Sequence, residues 1–175
     1  MSPKPARYDT NWQERYAALV ETPTQAVARI RSGQRVFVGT GCAQPVALLQ
    51  ALVARARDLV DVELIHLLTL GAAPYAAPKL AAQFRVNSFF IADNVREAIQ
   101  EGRGDYTPVF LSDIPRLFHS GQLPLDVALI HVSPPDLDGR CSLGVSVDIV
   151  KSAAQNAGLV IAQVNPNMPR TLGES

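Results

Sequence analysis

Short apolar runs alternate with longer amphipathic segments along most of this chain. The apolar runs are typical of buried strands and occupy residues 35–39, 62–68, 87–92, 107–111, 126–132 and 159–164. Helical spacing of apolar positions fits the segments between them, at residues 45–57, 76–83, 94–101, 113–119 and 148–156. Strands that alternate with helices of this length form βαβ units. The pattern therefore predicts an α/β domain with an open, mainly parallel sheet and helices on both faces.

The segment before the first strand is helical in character. Residues 11–20 predict a lead-in helix. A capping-box spacing follows at residues 22–25, with Pro23 at the first helical position, and Gly33 ends that second helix. The pattern divides the chain into a helical lead-in, residues 1–21, and an α/β domain, residues 22–175.

Composition narrows the function classes. The chain has 175 residues, which fits one domain, and 47% of them are hydrophobic while 18% are charged. Sixteen basic residues balance sixteen acidic ones without a run of like charge, so we expect neither nucleic acid nor a membrane surface as partner. No apolar stretch has transmembrane length and the amino terminus lacks an apolar signal core, which favours a cytoplasmic location. Two separate cysteines and three scattered histidines predict no metal site.

The most informative stretch is residues 126–146. Its apolar run ends abruptly in Ser133-Pro134-Pro135-Asp136, and a loop containing Ser142 and Gly144 follows. In open α/β sheets, ligands bind beyond the carboxyl ends of the strands. The proline pair gives this exit a rigid, extended backbone. The segment therefore predicts either a ligand-binding loop or an ordinary turn-rich connection.

The first predicted strand also leads into a glycine turn, residues 39–45. Its glycines allow close backbone approach to a ligand, and the helix that follows offers free N–H groups to an anion or a developing oxyanion. A nicotinamide cofactor does not fit, because Gln44 replaces the third glycine of the dinucleotide fingerprint. The second strand also lacks its terminal acid. A purely structural turn is the alternative.

Cys42 in this turn raises a second possibility. A thiol at a helix amino terminus can act as a nucleophile, and His131, at a neighbouring strand end, could serve as its base. No acid that would orient His131 is evident in the sequence. The competing interpretation is a small buried thiol beside a tight turn.

Three blocks of the chain resemble successive motifs of the acetyl-CoA hydrolase/transferase family. They are FIADNVREAIQEGRGDYTPVFLSDIP at residues 90–115, DVALIHVSPPDLDGRCSLGVSVD at 126–148 and QVNPNMPRTLGES at 163–175. The resemblance covers residues 22–175, and its second and third blocks are the most specific. The family includes 4-hydroxybutyrate and acetate CoA-transferases.

The resemblance implies an enzyme built from two similar α/β domains that moves CoA between carboxylic acids through a glutamyl-CoA thioester. The implied substrates are an acyl-CoA and a small carboxylate, with no permanently bound cofactor, and a homo-oligomer is expected. The family's nucleophilic glutamate belongs to the second domain, and its motif does not occur in this chain. We therefore expect no catalytic residue here, a C-terminal domain beyond Ser175 as partner, and no activity of this portion by itself. A non-catalytic module that binds an acyl-CoA or another small molecule is the alternative.

The loop positions and the resemblance together predict the residues that border the acyl group and its oxyanion. They are Gly39, Thr40, Gly41, Gln44 and Pro45 after the first strand, Ser133, Pro134, Pro135, Asp136, Ser142 and Gly144 in the central loop, and Asn165, Met168 and Pro169 near the end.

Overall fold

The computed structural model describes residues 8–171 of the chain. Six strands form one sheet: β1 (Arg35–Val38), β2 (Val62–His66), β3 (Phe84–Ser88), β4 (Gly104–Tyr106), β5 (Leu125–Val132) and β6 (Ala157–Val164). Their order is β4-β3-β2-β1-β5-β6, and every neighbouring pair is parallel. This arrangement confirms the predicted open parallel sheet.

Six α-helices accompany the sheet within the described residues. They are α1 (Trp12–Arg15), α2 (Pro23–Val27), α3 (Val46–Ala54), α4 (Asp93–Gln100), α5 (Ile114–His119) and α6 (Val150–Asn156). Short 3-10 turns at Ala56–Asp58, Pro74–Ala76, Pro78–Leu80 and Leu111–Asp113 complete the connections.

The sheet separates two hydrophobic cores. Val36 and Val38 of β1 point into the first core, where α2 and α3 pack. Phe37, between them in sequence, points into the second core with Phe118 of α5 and Ala153 of α6. Side chains alternate across a strand, so one strand contributes to both cores. Helices therefore cover both faces, as the pattern predicts.

The predicted capping box is present at the start of α2. The Thr22 hydroxyl accepts from the Gln25 N–H at 3.3 Å, and the Gln25 side chain accepts from the Thr22 N–H at 3.0 Å. The helix ends at Val27, however, well before Gly33. The Arg55 guanidinium donates to the carbonyls of Val27 and Ile30, which provides partners for the end of this short helix.

The lead-in forms less helix than predicted. Only Trp12–Arg15 is α-helical, and turns continue to Leu19. This helix is only about one turn long, since one turn of an α-helix takes about 3.6 residues. The predicted helix at residues 76–83 is also wrong, since this stretch contains 3-10 turns with a proline opening each of them.

Two strands lie earlier than predicted. The sheet uses Phe84–Ser88 as β3 instead of residues 87–92, and Phe90 is 63% exposed. Likewise, β4 is Gly104–Tyr106 instead of residues 107–111. Pro108 has no N–H for a ladder bond, so the apolar stretch around it is a poor strand. In both cases the apolar run follows the strand that forms the sheet.

Candidate functional site

The sheet order brings the two predicted ligand loops together. The chain places β2, β3 and β4 on one side of β1, and β5 and β6 on the other. The turn after β1 and the loop after β5 therefore leave adjacent parallel strands at the same edge of the sheet. Ligands of doubly wound sheets bind at this point, where the strand order reverses. We take this crevice as the candidate site.

The turn after β1 presents backbone donors. Gly41 has φ +60°, a conformation that favours glycine, and no atom lies within 4 Å of the position that a Cβ would occupy there. Its N–H donates to the Leu68 carbonyl at 2.7 Å, which anchors the turn to the end of β2. The N–H groups of Cys42 and Gln44 have no hydrogen-bond partner within residues 8–171. The turn could therefore donate to an anionic oxygen.

The side chains of Gln44 and Pro45 have supporting roles. Gln44 is 4% exposed, accepts from the Gly71 N–H at 2.9 Å and donates to the Ala72 carbonyl at 3.1 Å. Pro45 is the buried N-cap of α3. The amide of Gln44 thus holds the turn against the segment after β2, so its side chain is committed within the protein.

The cysteine alternative gains little from this geometry. Cys42 is a free, exposed thiol, and α3 begins only at Val46, so the thiol lies outside the first helical turn. His131 is partly buried, and burial lowers its pKa. Its Nε2 lies 3.4 Å from the side-chain nitrogen of Gln163, and no hydrogen bond within residues 8–171 joins the imidazole to the thiol of Cys42.

Ser142 organises the loop after β5. The Ser142 carbonyl accepts from the Ser133 N–H, and the Ser133 hydroxyl accepts from the Ser142 N–H, both at 2.9 Å. The Ser142 hydroxyl in turn accepts from the N–H groups of Gly144 and Thr171, each at 3.1 Å. Because Ser142 is only 1% exposed, these bonds form in a water-poor environment. Pro134 and Pro135 are buried beside it.

The third predicted segment packs directly on this loop. The Asn165 N–H donates to the Val132 carbonyl at 2.9 Å, and Met168 is 8% exposed. Gly144 has φ +62°, and a Cβ there would lie 2.6 Å from Cγ of Met168. A side chain at Gly144 is therefore disfavoured by both the positive φ and the nearby side chain of Met168. Pro169 is exposed.

An ion pair fastens the same two segments. The Arg170 guanidinium contacts the Asp136 carboxylate and also donates to the Arg140 carbonyl at 2.9 Å. Asp136 accepts from the Arg140 N–H at 2.8 Å, and this bond, together with the Arg170 charge, holds the pKa of the carboxyl below its usual value. Asp136 is consequently a structural anion of the loop.

The lead-in also contacts the loop after β5, which the sequence did not indicate. The Asp9 N–H donates to the Pro135 carbonyl at 2.9 Å, and the Arg15 guanidinium donates to the Leu137 carbonyl at 3.2 Å. Asp9 is 5% exposed and pairs with Arg15 at 3.1 Å. Residues 9–15 thus pack against the loop that forms part of the candidate site.

Asp148 is the functional candidate that sequence reasoning missed. Its carboxylate accepts from the Thr40 hydroxyl at 3.0 Å and from the Ser146 hydroxyl at 2.8 Å. An Asp directly before a helical apolar pattern is a capping signal, which could have drawn attention to it. Its contact with Thr40, 108 residues away in the sequence, could not be predicted locally.

Two findings bear on metals and membranes. Within residues 8–171 no group of three or more His, Cys, Asp or Glu side chains could hold a metal ion. In the same part of the chain, no helix has the length and apolar character needed to cross a bilayer.

Comparison with known proteins identifies the family. The family model described as "Acetyl-CoA hydrolase/transferase N-terminal domain" matches residues 4–175. The chain belongs to this family. It is 43% identical over 164 residues to a 4-hydroxybutyrate coenzyme A transferase of Clostridium kluyveri, which covers 94% of the chain and 38% of that protein. It is 45% identical over 148 residues to a succinyl-CoA:acetate/propanoyl-CoA:succinate CoA transferase of Fasciola hepatica, covering 83% of the chain and 30% of that protein.

A solved structure supports the same assignment. The crystal structure of 4-hydroxybutyrate CoA-transferase from Porphyromonas gingivalis superposes with a TM-score of 0.76 at 34% identity. The match covers 93% of this chain and 37% of that one. The chain therefore spans well under half the length of the family members that it matches, and it corresponds to their N-terminal domain.

Proposed function

We propose that this chain is the amino-terminal half of an enzyme that moves CoA between small carboxylic acids. The observation that carries the proposal is the meeting of the turn after β1 and the loop after β5 where the strand order reverses. One of the three blocks that resemble the family contains the loop after β5, and another packs on that loop. The described residues form one wall of a cleft, and the remainder of the protein would supply the other.

The chemistry requires groups from both halves. A glutamate carboxylate of the second half would attack the thioester carbonyl of an acyl-CoA, and negative charge would develop on the carbonyl oxygen. The attack would displace CoA as its thiolate and leave an acyl–glutamyl anhydride; the thiolate would then attack the glutamyl carbonyl, which gives a glutamyl-CoA thioester and releases the first carboxylate. A second carboxylate would attack this thioester, and the same steps in reverse would form the new acyl-CoA and restore the glutamate. The described half would contribute hydrogen-bond donors and a shaped, partly buried wall.

The turn after β1 is the candidate donor group. The free N–H groups of Cys42 and Gln44, and the open space beside Gly41, suit a developing oxyanion. One well-placed backbone donor contributes roughly 3–4 kcal/mol in the transition state of such reactions. The loops around Ser142 and Met168 would close over the acyl chain beside it.

The test is CoA exchange by the full-length protein. The purified protein is incubated with acetyl-CoA and, in turn, acetate, butyrate, 4-hydroxybutyrate and succinate, and the new acyl-CoA is followed by mass spectrometry. We expect exchange with at least one carboxylate and a CoA adduct on one glutamate of the second half. A reaction with water as the only acceptor would make the enzyme a hydrolase.

The 175-residue chain is the matched control. It should show no exchange above background, because the nucleophile lies in the other half. Turnover by the short chain would place the nucleophile within these 175 residues. Acyl-CoA binding by the full-length protein without exchange, hydrolysis or adduct would favour the non-catalytic module.

A further inference from the structure

Asp148 joins the two loops that border the crevice. Its Oδ1 accepts from the Thr40 hydroxyl at 3.0 Å, and from the backbone N–H groups of Ile149 at 2.5 Å and Val150 at 3.3 Å. Its Oδ2 accepts from the Ser146 hydroxyl at 2.8 Å. The carboxylate therefore binds the backbone at the start of α6, and it also accepts a hydrogen bond from the turn after β1.

The hydrogen bond between Thr40 and Asp148 joins the two loops directly. Among the described residues 8–171, it is the only side-chain hydrogen bond between the turn at residues 39–45 and the loop at residues 133–149. Thr40 is 5% exposed and directly precedes Gly41, whose left-handed conformation orients the next N–H groups. A displacement of Thr40 would move those donors together with it.

We infer that Asp148 is a positioning residue that holds the backbone donors of the Gly41 turn in place for the reaction. The inference rests on the proposed function. Donors to an oxyanion act over a narrow range of distances, and a misplacement of about 1 Å can reduce a rate by about 100-fold. Asp148 itself needs no contact with the substrate for this role.

A carboxylate suits the position because all of its partners donate. Two hydroxyls and two backbone N–H groups point to its two oxygens, and a carboxylate accepts without donating. Asparagine keeps one oxygen for Thr40 and the α6 backbone, while its amide meets the Ser146 hydroxyl, which can reverse its role. Asp148→Asn should therefore preserve the link that Asp148→Ala removes.

Asp126 provides a matched control at the opposite end of the sheet. It is an exposed aspartate, and its Oδ2 accepts from the Arg35 N–H at 2.7 Å, close to the amino ends of β5 and β1. Asp126→Ala removes an aspartate hydrogen bond to a backbone N–H away from the candidate site. It tests whether any loss of this kind slows the enzyme.

The experiment measures kcat and KM for acetyl-CoA with 4-hydroxybutyrate in the full-length protein. Asp148→Ala should lower kcat by about 10- to 100-fold with KM within about threefold, whereas Asp148→Asn recovers most of the rate. Thr40→Val should lower kcat by a similar factor. The double variant should be little slower than Asp148→Ala, because both substitutions remove the same hydrogen bond. Asp126→Ala should leave kcat unchanged.

Amide hydrogen exchange of the turn gives a readout that does not depend on activity. Exchange at residues 39–44 should be faster in Asp148→Ala than in the wild type and close to wild type in Asp148→Asn. Wild-type kcat and unchanged exchange in Asp148→Ala would overturn the inference. So would fully independent effects of the Thr40 and Asp148 substitutions, or an equal loss in Asp126→Ala. A wild-type protein without CoA exchange would overturn the proposed function instead, and hydrogen exchange would then decide the role of Asp148 alone.

Discussion

Two places along the carboxyl edge of the sheet differ in how far they are open to solvent. At the ends of β2 and β3, His66 and Ser88 are fully buried, and Thr69 and Tyr75 close over them with at most 1% exposure. We call these four residues the closed cluster. At the ends of β1 and β5, in contrast, Gly41 is half-buried and Cys42 is exposed.

The topology explains the difference. The helix that follows β1, α3, packs in the first core, and the helix that follows β5, α6, packs in the second. The two connections leave the sheet toward opposite faces, and doubly wound sheets bind their ligands at such a point. Near β2, the chain folds over its own strand end, and the side chain of Asn94 donates to Thr69 and Gly71 at 2.9 and 2.7 Å. Strand order, more than local polarity, therefore decides which loop is available to a ligand.

Gly41→Val in the full-length enzyme should have the largest effect on the open side. Valine disfavours the positive φ of this position, so the turn must shift and its donors with it. We expect kcat to fall by about 100- to 1000-fold, as for the loss of one oxyanion donor. Steady-state kinetics with a circular dichroism spectrum of the variant measures this.

Gly33→Val is its control. Gly33 also has positive φ, with no atom within 4 Å of a Cβ, but it precedes β1 at the other edge of the sheet. The Gly33→Val variant should be less stable than the wild type but should have the wild-type kcat. An equal loss of kcat in both variants would mean that backbone strain, and not the donors, slows the enzyme.

The closed cluster should make stability depend on pH. Burial lowers the pKa of His66 from 6.5 to about 4. Between these two pH values the imidazole is protonated in the unfolded chain and neutral in the folded chain. The stabilisation is complete above pH 6.5 and is lost as the pH falls toward 4, by about 3 kcal/mol in total. Denaturant unfolding between pH 4 and 8 measures it.

His66→Asn isolates this effect. The variant should be less stable at pH 8 but should lose less stability on acidification than the wild type, because its side chain does not titrate. Identical pH slopes in the two proteins would show that His66 is not the responsible group.

Packing of the loop after β5 on the Met168 segment gives a smaller effect. Gly144→Ala places a Cβ 2.6 Å from Cγ of Met168 in addition to the strain of positive φ. We expect a loss of about 2 kcal/mol or more in the free energy of unfolding. In Gly102→Ala, where φ is also positive and no atom is near, the loss should be about 1 kcal/mol. Equal losses of stability in Gly144→Ala and Gly102→Ala would show that the Met168 side chain moves away from the added Cβ at little cost.

Cys42→Ser should have the smallest effect of the four. The serine hydroxyl fits the exposed site of the thiol, and the backbone N–H of residue 42 is retained. We expect kcat within about twofold of the wild type. A cysteine hydrolase would lose essentially all of its activity in the same assay.

Local sequence patterns were accurate for four of the six strands of the sheet. Residues 35–39, 62–68, 126–132 and 159–164 agree with β1, β2, β5 and β6 to within two residues at each end. They misplaced β3 and β4, whose register is set by their partner strands. Val86–Ser88 of β3 pair with Gly104–Tyr106 of β4, and the apolar runs that follow remain outside the ladder.

The candidate site likewise has residues that the local sequence indicates and contacts that it does not. The glycine turn and the segment around Ser133 follow central strands, and their types of residue already indicate turns that approach a ligand. The sequence could not place Asp148 opposite Thr40, or Met168 against Gly144, since each pair is far apart along the chain. The lead-in contact with Pro135 was likewise inaccessible.

By itself, the sequence determined the α/β class, the capping box at Thr22 and the loops that carry the family's motifs. These features depend on residues two to four positions apart, which interact in any local segment. The tertiary structure alone decided that β1 and β5 are neighbours and that their connections diverge. Strand order depends on how all helices and strands share two cores, so no local pattern encodes it. The position of the candidate site follows from that order.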